Sequence, residues 1–276
     1  GWVNDAGGDA STVAGGELNI TISSHSTIGG GHNNLVSDNY GTIGGGYNNR
    51  AGDNAGTTSD KEYATVGGGY GNIASGSVST VSGGNGNTSS GPSSTVGGGL
   101  SNEASATGST VAGGQGNTAS IAWSTVGGGK DNTASGGSWS TVAGGIGNIA
   151  SAAGSTVGGG LENTAIAAGS TVGGGDTNHA TALSSTVGGG RDNTASGYIS
   201  TVGGGWANNA SGTYATIGGG ESNTAAGDYS FAAGRRATIA AAHDGTFMFA
   251  DRTDADFNSA AADEFAVRAN GGVRFI

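Results

Sequence analysis

The stretch Thr186-Val187-Gly188-Gly189-Gly190-Arg191-Asp192-Asn193-Thr194-Ala195-Ser196-Gly197 is one copy of a unit that recurs 14 times. Every copy carries a Thr-Val or Thr-Ile pair, then two or three Gly, then Asn six residues after the Val or Ile. The β-branched position falls at Val13, Ile28, Ile43, Val66, Val81, Val96, Val111, Val126, Val142, Val157, Val172, Val187, Val202 and Ile217, a step of 15 with two exceptions. A fixed period of this size marks a stacked solenoid, because one such unit cannot bury an apolar face alone and a pile of them can. Between Ile43 and Val66 the step is 23, with eight extra residues within 52–62. Between Val126 and Val142 it is 16, with the extra residue near Gly137. The pattern resumes in phase after each, and both insertions fall in the second half of a coil, as loops on a repeat scaffold do.

With the Val or Ile as position zero, Thr fills minus one, Gly fills plus two and plus three, and Asn fills plus six in all 14 units, while plus one is only Gly, Ala or Ser. Uniform columns signal packing, since a solvated column has no reason to repeat one residue type. Side chains alternate across a strand. Val at zero and Gly at plus two therefore share one face, and Thr at minus one shares the other with the small residue at plus one. Both faces of this first strand read as constrained. The second strand carries Asn, mostly Ala and often Gly at plus six, eight and ten. At plus seven it carries Ile20, Arg50, Glu103, Thr118, His179 and Asn209, so its outer face reads as solvated. Identical Asn amides stacked at the strand spacing of about 4.8 Å are expected to hydrogen-bond along the axis as a ladder. Fourteen such coils would give a narrow rod on the order of 65–70 Å long.

One regular apolar side chain per coil stabilises far less than ordering 15 backbones costs. This deficit predicts a homotrimer in which the valine row, Val66, Val81, Val96, Val111, Val126, Val157, Val172, Val187 and Val202, is the seam between chains. End-to-end filaments are a further expected self-association.

Composition narrows the function. The 276 residues include 62 Gly, one Pro and no Cys, so neither a collagen triplet repeat nor a disulfide or thiolate-metal framework is present. Nine basic residues stand against 20 acidic ones, a formal charge of −11, and five of the nine follow residue 234. An acidic repeat surface repels nucleic acid and anionic membranes. No run of about 18 apolar residues exists to span a bilayer, so no direct membrane insertion is expected. From Thr246 onward, Phe247-Met248-Phe249-Ala250-Asp251, Glu264-Phe265-Ala266-Val267-Arg268 and Val273-Arg274-Phe275-Ile276 alternate as short strands. They predict a repeat domain over 1–245 and a C-terminal β cap over 246–276, in a chain expected to continue past Ile276.

The last unit drifts to Tyr229-Ser230-Phe231-Ala232-Ala233-Gly234-Arg235-Arg236-Ala237. Here the pattern resembles the head repeats of trimeric autotransporter adhesins of the YadA type and related bacterial and phage fibre proteins. Those repeats read Ser-Val-Ala-Ile-Gly, two variable residues, then Ala-x-Ala-x-Gly. Thr186 takes the Ser place, Val187 the Val, Gly190 the Gly, Asn193 and Ala195 the two Ala, and Gly197 the final Gly. The likeness runs to about residue 240, with a step of 15 against the family's 14 and Gly where the family has Ile. It implies a left-handed parallel β-roll, three chains wound as one head, and attachment to surfaces.

No catalytic constellation is legible, and no cofactor is expected. The four His, at 25, 32, 179 and 243, fall at unrelated repeat positions. The Gly triplet lacks the Gly-Lys-Ser/Thr ending and following helix of a phosphate loop. Asp251, Asp254 and Asp256 form a weak Ca²⁺ candidate, with solvated loop carboxylates the plainer reading. Ligand contact, where it exists, is expected from the variable corners. Tyr40, Tyr63, Trp123, Trp139 and Tyr214 lie at minus three and Trp206 at plus four. Such rings stack on sugars or clamp peptides, or else cover Gly-rich backbone or seal the subunit seam.

The sequence therefore predicts an all-β, left-handed parallel β-roll of 15-residue coils, homotrimeric and non-enzymatic. It is expected to be extracellular or at the bacterial outer surface, an adhesin head or external fibre whose partner is a host surface, matrix protein or glycan. A phage-type or secreted tail fibre is the alternative within the class. An ice-binding solenoid is the alternative outside it, disfavoured while the Thr column reads as packed on both faces.

Overall fold

The computed structural model describes residues 3–274. The chain divides into two compact units, Gly1–Trp139 with Ala143–Gly145 and Ser140–Val142 with Ile146–Ile276. This division falls inside the repeat. In each unit the backbone winds as a parallel β-solenoid with coils of about 15 residues, and no helix occurs among the described residues.

Every coil contributes two short strands joined by two corners. In the first unit Thr80–Val81 pairs with Thr95–Val96, which pairs with Thr110–Val111, Thr on Thr and Val on Val. The second strand stacks likewise, Thr88–Ser89 on Glu103–Ala104 on Thr118–Ala119. The same two ladders run in the second unit, from Thr156–Val157 to Thr201–Val202 and from Thr164–Ala165 to Asn209–Ala210. These are the threonine sheet and the alanine sheet. The 23-residue step leaves both in register, since Thr42 pairs directly with Thr65 and Arg50 with Ile73, and the added residues loop out.

The corners are built from left-handed residues. Position plus five takes a positive φ, as at Ser101 (54°) and Glu162 (53°), and so does minus three, as at Trp123 (61°) and Tyr214 (58°). A non-Gly residue in this region costs roughly 1–2 kcal/mol, which the stacked coils on either side hold in place. Position plus three is stricter. Gly99 has φ 94°, and a Cβ there would run into the carbonyl oxygen of Gly114 on the next coil. Only Gly allows the two backbones to approach so closely.

Four columns fill the interior: Ser at minus two, Val at zero, Asn at plus six and the small residue at plus eight. Ser109, Val111, Asn117 and Ala119 all have no exposed surface. The expected asparagine ladder is present and does more than stack. Asn102 Nδ2 donates to Asn87 Oδ1 at 3.2 Å, to the Gly98 carbonyl at 2.8 Å and to the Gly114 carbonyl at 2.9 Å, while its backbone amide donates to Asn87 Oδ1 at 2.9 Å. Each amide thus ties its own glycine corner to the coils on both sides, and a buried polar side chain is fully satisfied. Ser109 Oγ pins the opposite corner, donating to the Ala106 carbonyl at 2.7 Å.

One expectation is corrected. Val66, Val81, Val96, Val111, Val126, Val157, Val172, Val187 and Val202 are wholly buried within the chain itself. Side chains with no surface in a single copy cannot form a seam between copies. Alternation fixes two faces without saying which is inner. With Val opposite Ala and Asn in the interior, the threonines are left pointing out.

The segment expected as a cap extends the same two sheets. Phe247–Ala250 pairs in parallel with Phe231–Arg235 and with Phe265–Arg268, and Phe257–Asn258 pairs with Ala237–Ile239. Met248, Ala250 and Ala266 take the interior places, and Phe231, Phe247 and Phe265 stack outside with centroids 4.8 and 5.2 Å apart. Val273 and Arg274 lie in no strand. Phe275 and Ile276, the rest of that expected strand, lie outside the described residues.

Candidate functional surfaces

The outer face of the threonine sheet is regular. In the first unit Thr95, Thr110 and Thr125 stand half-buried beside the exposed Gly97, Ala112 and Gly127, and in the second Thr156, Thr171 and Thr186 stand beside Gly158, Gly173 and Gly188. Among the described residues, the hydroxyls of this column make no hydrogen bond within the chain. Their donors and acceptors are available to something outside it.

The alanine sheet is varied on its outer face. Leu35, Arg50 and Ile73 lie side by side there, and with Asn33, Asn48 and Asn54 they line a hollow of about 300 Å³. Asn33 Nδ2 donates to Asn48 Oδ1 at 3.0 Å, and Arg50 Nε is buried without a partner. A guanidinium flanked by amides suits an acidic or hydroxylated small molecule.

The six aromatic candidates do not form one site. At the minus-three corner of the first unit, Tyr40 stacks between His25 and Tyr63, with centroids 4.9 and 4.8 Å apart. Trp123 lies where a Cβ on Gly108 would strike its ring, and Trp139 is 67% exposed. In the second unit Tyr214 stacks on Tyr229 at 5.2 Å and meets Tyr198 edge-on, while Trp206, at the other corner, donates from Nε1 to Asp192 Oδ2 at 3.2 Å. Stacking between coils occupies ring faces that a ligand would need. A further stack at plus four, His32 on Tyr47 on Tyr70, follows from the same period.

Asp251, Asp254 and Asp256 are held by arginines. Asp251 pairs with Arg268 at 3.1 Å, Asp254 with Arg236 at 3.0 Å and Arg235 at 3.3 Å, and Asp256 with Arg236 at 2.8 Å. The Asn270 amide first, then Thr253 and Arg268, hold the Asp251 carboxyl far below the usual carboxylate range. Arginines already supply the counter-charge, at exposed pairs for Asp254 and Asp256 and at a largely buried pair for Asp251. The structure instead gathers Asp38, Asp53 and Asp60, a group drawn from two coils and the insertion.

His243 Nδ1 lies 2.6 Å from Ser259 Oγ, which also accepts the Ala240 amide at 3.1 Å. Among the described residues no carboxylate bonds that ring, so the pair ties neighbouring coils and lacks the orienting group of a nucleophile and base. No helix is long and apolar enough to cross a membrane among the described residues. No protein-family model matches this chain, and no curated protein sequence matches it.

Proposed function

We propose that this chain is the repeat head of a non-enzymatic fibre or adhesin at a bacterial outer surface, a left-handed β-roll of which three copies associate through their threonine sheets. The uniform outward column carries the reading. Thr repeats at minus one in all 14 units although the chain's own interior does not touch that face. A regular neighbour of the same period accounts for this, and another copy of the chain has that period by construction. The small residues at plus one let two such faces approach. The varied outer face of the alanine sheet, with its corner aromatics and the hollow at Arg50, is then left to meet a host surface, matrix protein or glycan. A secreted or phage-type tail fibre is the alternative within the same class.

Light scattering on the purified chain tests the association. Three copies are expected for the native sequence, and single copies for a Thr110→Lys, Thr125→Lys variant whose circular dichroism is unchanged. A folded native monomer overturns the reading. Ice binding stands as a second reading, favoured by the outward hydroxyls that the sequence alone placed in a packed layer. Thermal hysteresis of the native chain, lost in the same variant, would select it.

A further inference from the structure

We propose that Asp38, Asp53 and Asp60 together bind one divalent cation, with calcium the ion that fits. One carboxylate oxygen from each lies within 4.8 Å of the others. Oxygens that share a calcium ion at about 2.4 Å are separated by at most about twice that distance. Magnesium demands a near-ideal octahedral shell and gives up its waters reluctantly, whereas calcium accepts an irregular set of protein oxygens, and the donors are hard oxygens without the His or Cys that zinc prefers.

The repeat itself points to the place. Asp38 and Asp53 occupy the same column, ten residues after Ile28 and Ile43, so they sit one above the other on consecutive coils. Elsewhere this column holds uncharged residues, small in every unit but the one with Ile121, with Gly76, Gly91, Ala106 and Ala152 among them. Two stacked carboxylates repel at a position where Gly or Ala suffices for the fold. The eight-residue insertion begins at this point and carries Asp60 back to it, tied by the Asn39 amide donating to the Thr58 carbonyl at 2.7 Å.

A second observation is independent of the clustering. Asp38 is wholly buried, and its Oδ1 has no hydrogen-bond partner. Its Oδ2 accepts from Ser37 Oγ and from the Asp53 amide, each at 3.0 Å. A carboxylate half satisfied by the protein and half unsatisfied beside two others has an oxygen free for a metal, and leaving it buried without one is costly. Asp60 accepts from Thr57 Oγ1 at 2.6 Å and pairs with Lys61 at 3.4 Å. Lys61 neutralises one of the three charges, and a divalent ion neutralises the other two.

Calorimetry of the full chain with Ca²⁺ tests this. One site per chain is expected, with Kd on the order of 10⁻⁴–10⁻³ M as in extracellular calcium modules, together with a rise in melting temperature that saturates with the ion. Asp53→Asn and Asp60→Asn, both at positions with solvent access, are each expected to weaken binding by at least about tenfold with circular dichroism unchanged. They keep the test sound where Asp38→Asn perturbs the buried corner. Asp254→Asn is expected to leave binding as it was. No heat and no thermal shift up to about 10 mM Ca²⁺, far above that Kd range, would overturn the proposal. So would binding that survives the Asp53→Asn, Asp60→Asn double variant.

Discussion

Asp38, Asp53 and Asp60 in the first unit and Asp251, Asp254 and Asp256 in the second are groups of three carboxylates with opposite surroundings. The second group sits within six residues of sequence and faces Arg235, Arg236 and Arg268. The first is assembled from two coils and an insertion, and has Lys61 alone as its paired cation among the described residues. The consequences differ in sign. Burial, which the Asp53 charge reinforces and the Ser37 hydroxyl and the Asp53 and Lys61 amides oppose, pushes the Asp38 carboxyl up, whereas Asp251 is held down. Closeness in sequence is therefore a weak guide to a cation site. What decides is whether the fold has already supplied the counter-charge.

The largest effect is expected where an arginine does structural duty. Arg268 donates to the carbonyls of Ala255 at 2.6 Å, Arg235 at 3.0 Å and Thr253 at 3.1 Å, besides Asp251. Arg268→Ala removes charge-assisted bonds to three backbone acceptors at once. With hydrogen bonds to charged groups worth roughly 1.5–3 kcal/mol each and solvent replacing part of them, a loss of about 2–3 kcal/mol is expected in denaturant unfolding followed by hydrogen exchange in the second unit. A loss of a few tenths would mean that the arginines merely decorate this loop, and the contrast between the two groups would fail.

The period was readable because it is written in single residues. Thr at minus one, Gly at plus three and Asn at plus six carry the coil length, the ladder and the placement of the 52–62 insertion, and of these the Gly and the Asn have packing roles inside the coil that the period makes visible. The side on which the interior lies was not readable from the Thr-Val strand alone. Ser109 and Ala119, small residues of the kind that also fill loops, complete the cavity around Val111, and only their burial shows that Val points in. The stacking of Asp53 on Asp38 was available in principle from their shared column. Asp60 was not, because its place depends on the path of an insertion without a repeat. Tyr40 and Tyr63 share a column in the sequence, but the stacking of their rings at 4.8 Å is something that spacing does not give.

An intermediate effect of opposite sign is expected at Asp38. Its folded carboxyl titrates above the ordinary value near 3.9, so between that value and the raised one the folded state holds more protons than the unfolded chain. Stability therefore falls as pH rises through this window and stays lower at neutral pH. Asp251 behaves in reverse. Its contribution is present above the unfolded value and is lost as pH falls toward the depressed one. In the absence of divalent ions at pH 7, Asp38→Asn is expected to stabilise the first unit by on the order of 1 kcal/mol, and the gain should vanish in acid. With saturating Ca²⁺ the order should reverse, the native chain becoming the more stable. A variant less stable than the native chain in EDTA would show that the buried carboxylate is satisfied by the protein alone.

The smallest effect is expected at Asp254, and it sharpens the comparison from the other end. Its carboxylate makes two ion pairs, yet its side chain is 60% exposed. Exposed pairs contribute about 0.2–1 kcal/mol, and water takes over most of what is lost. Both partners keep another acceptor, Arg235 having Glu221 at 3.2 Å and Arg236 having Asp256 at 2.8 Å. Asp254→Asn should therefore change unfolding free energy by no more than about 0.5 kcal/mol, and 0.5 M salt should erase the difference because such pairs are screened. A loss above about 1 kcal/mol that persists in salt would mean that the three arginines and their carboxylates act as one coupled network. The second group would then be a structural clamp, and its contrast with the first would rest on cooperativity as well as on counter-charge.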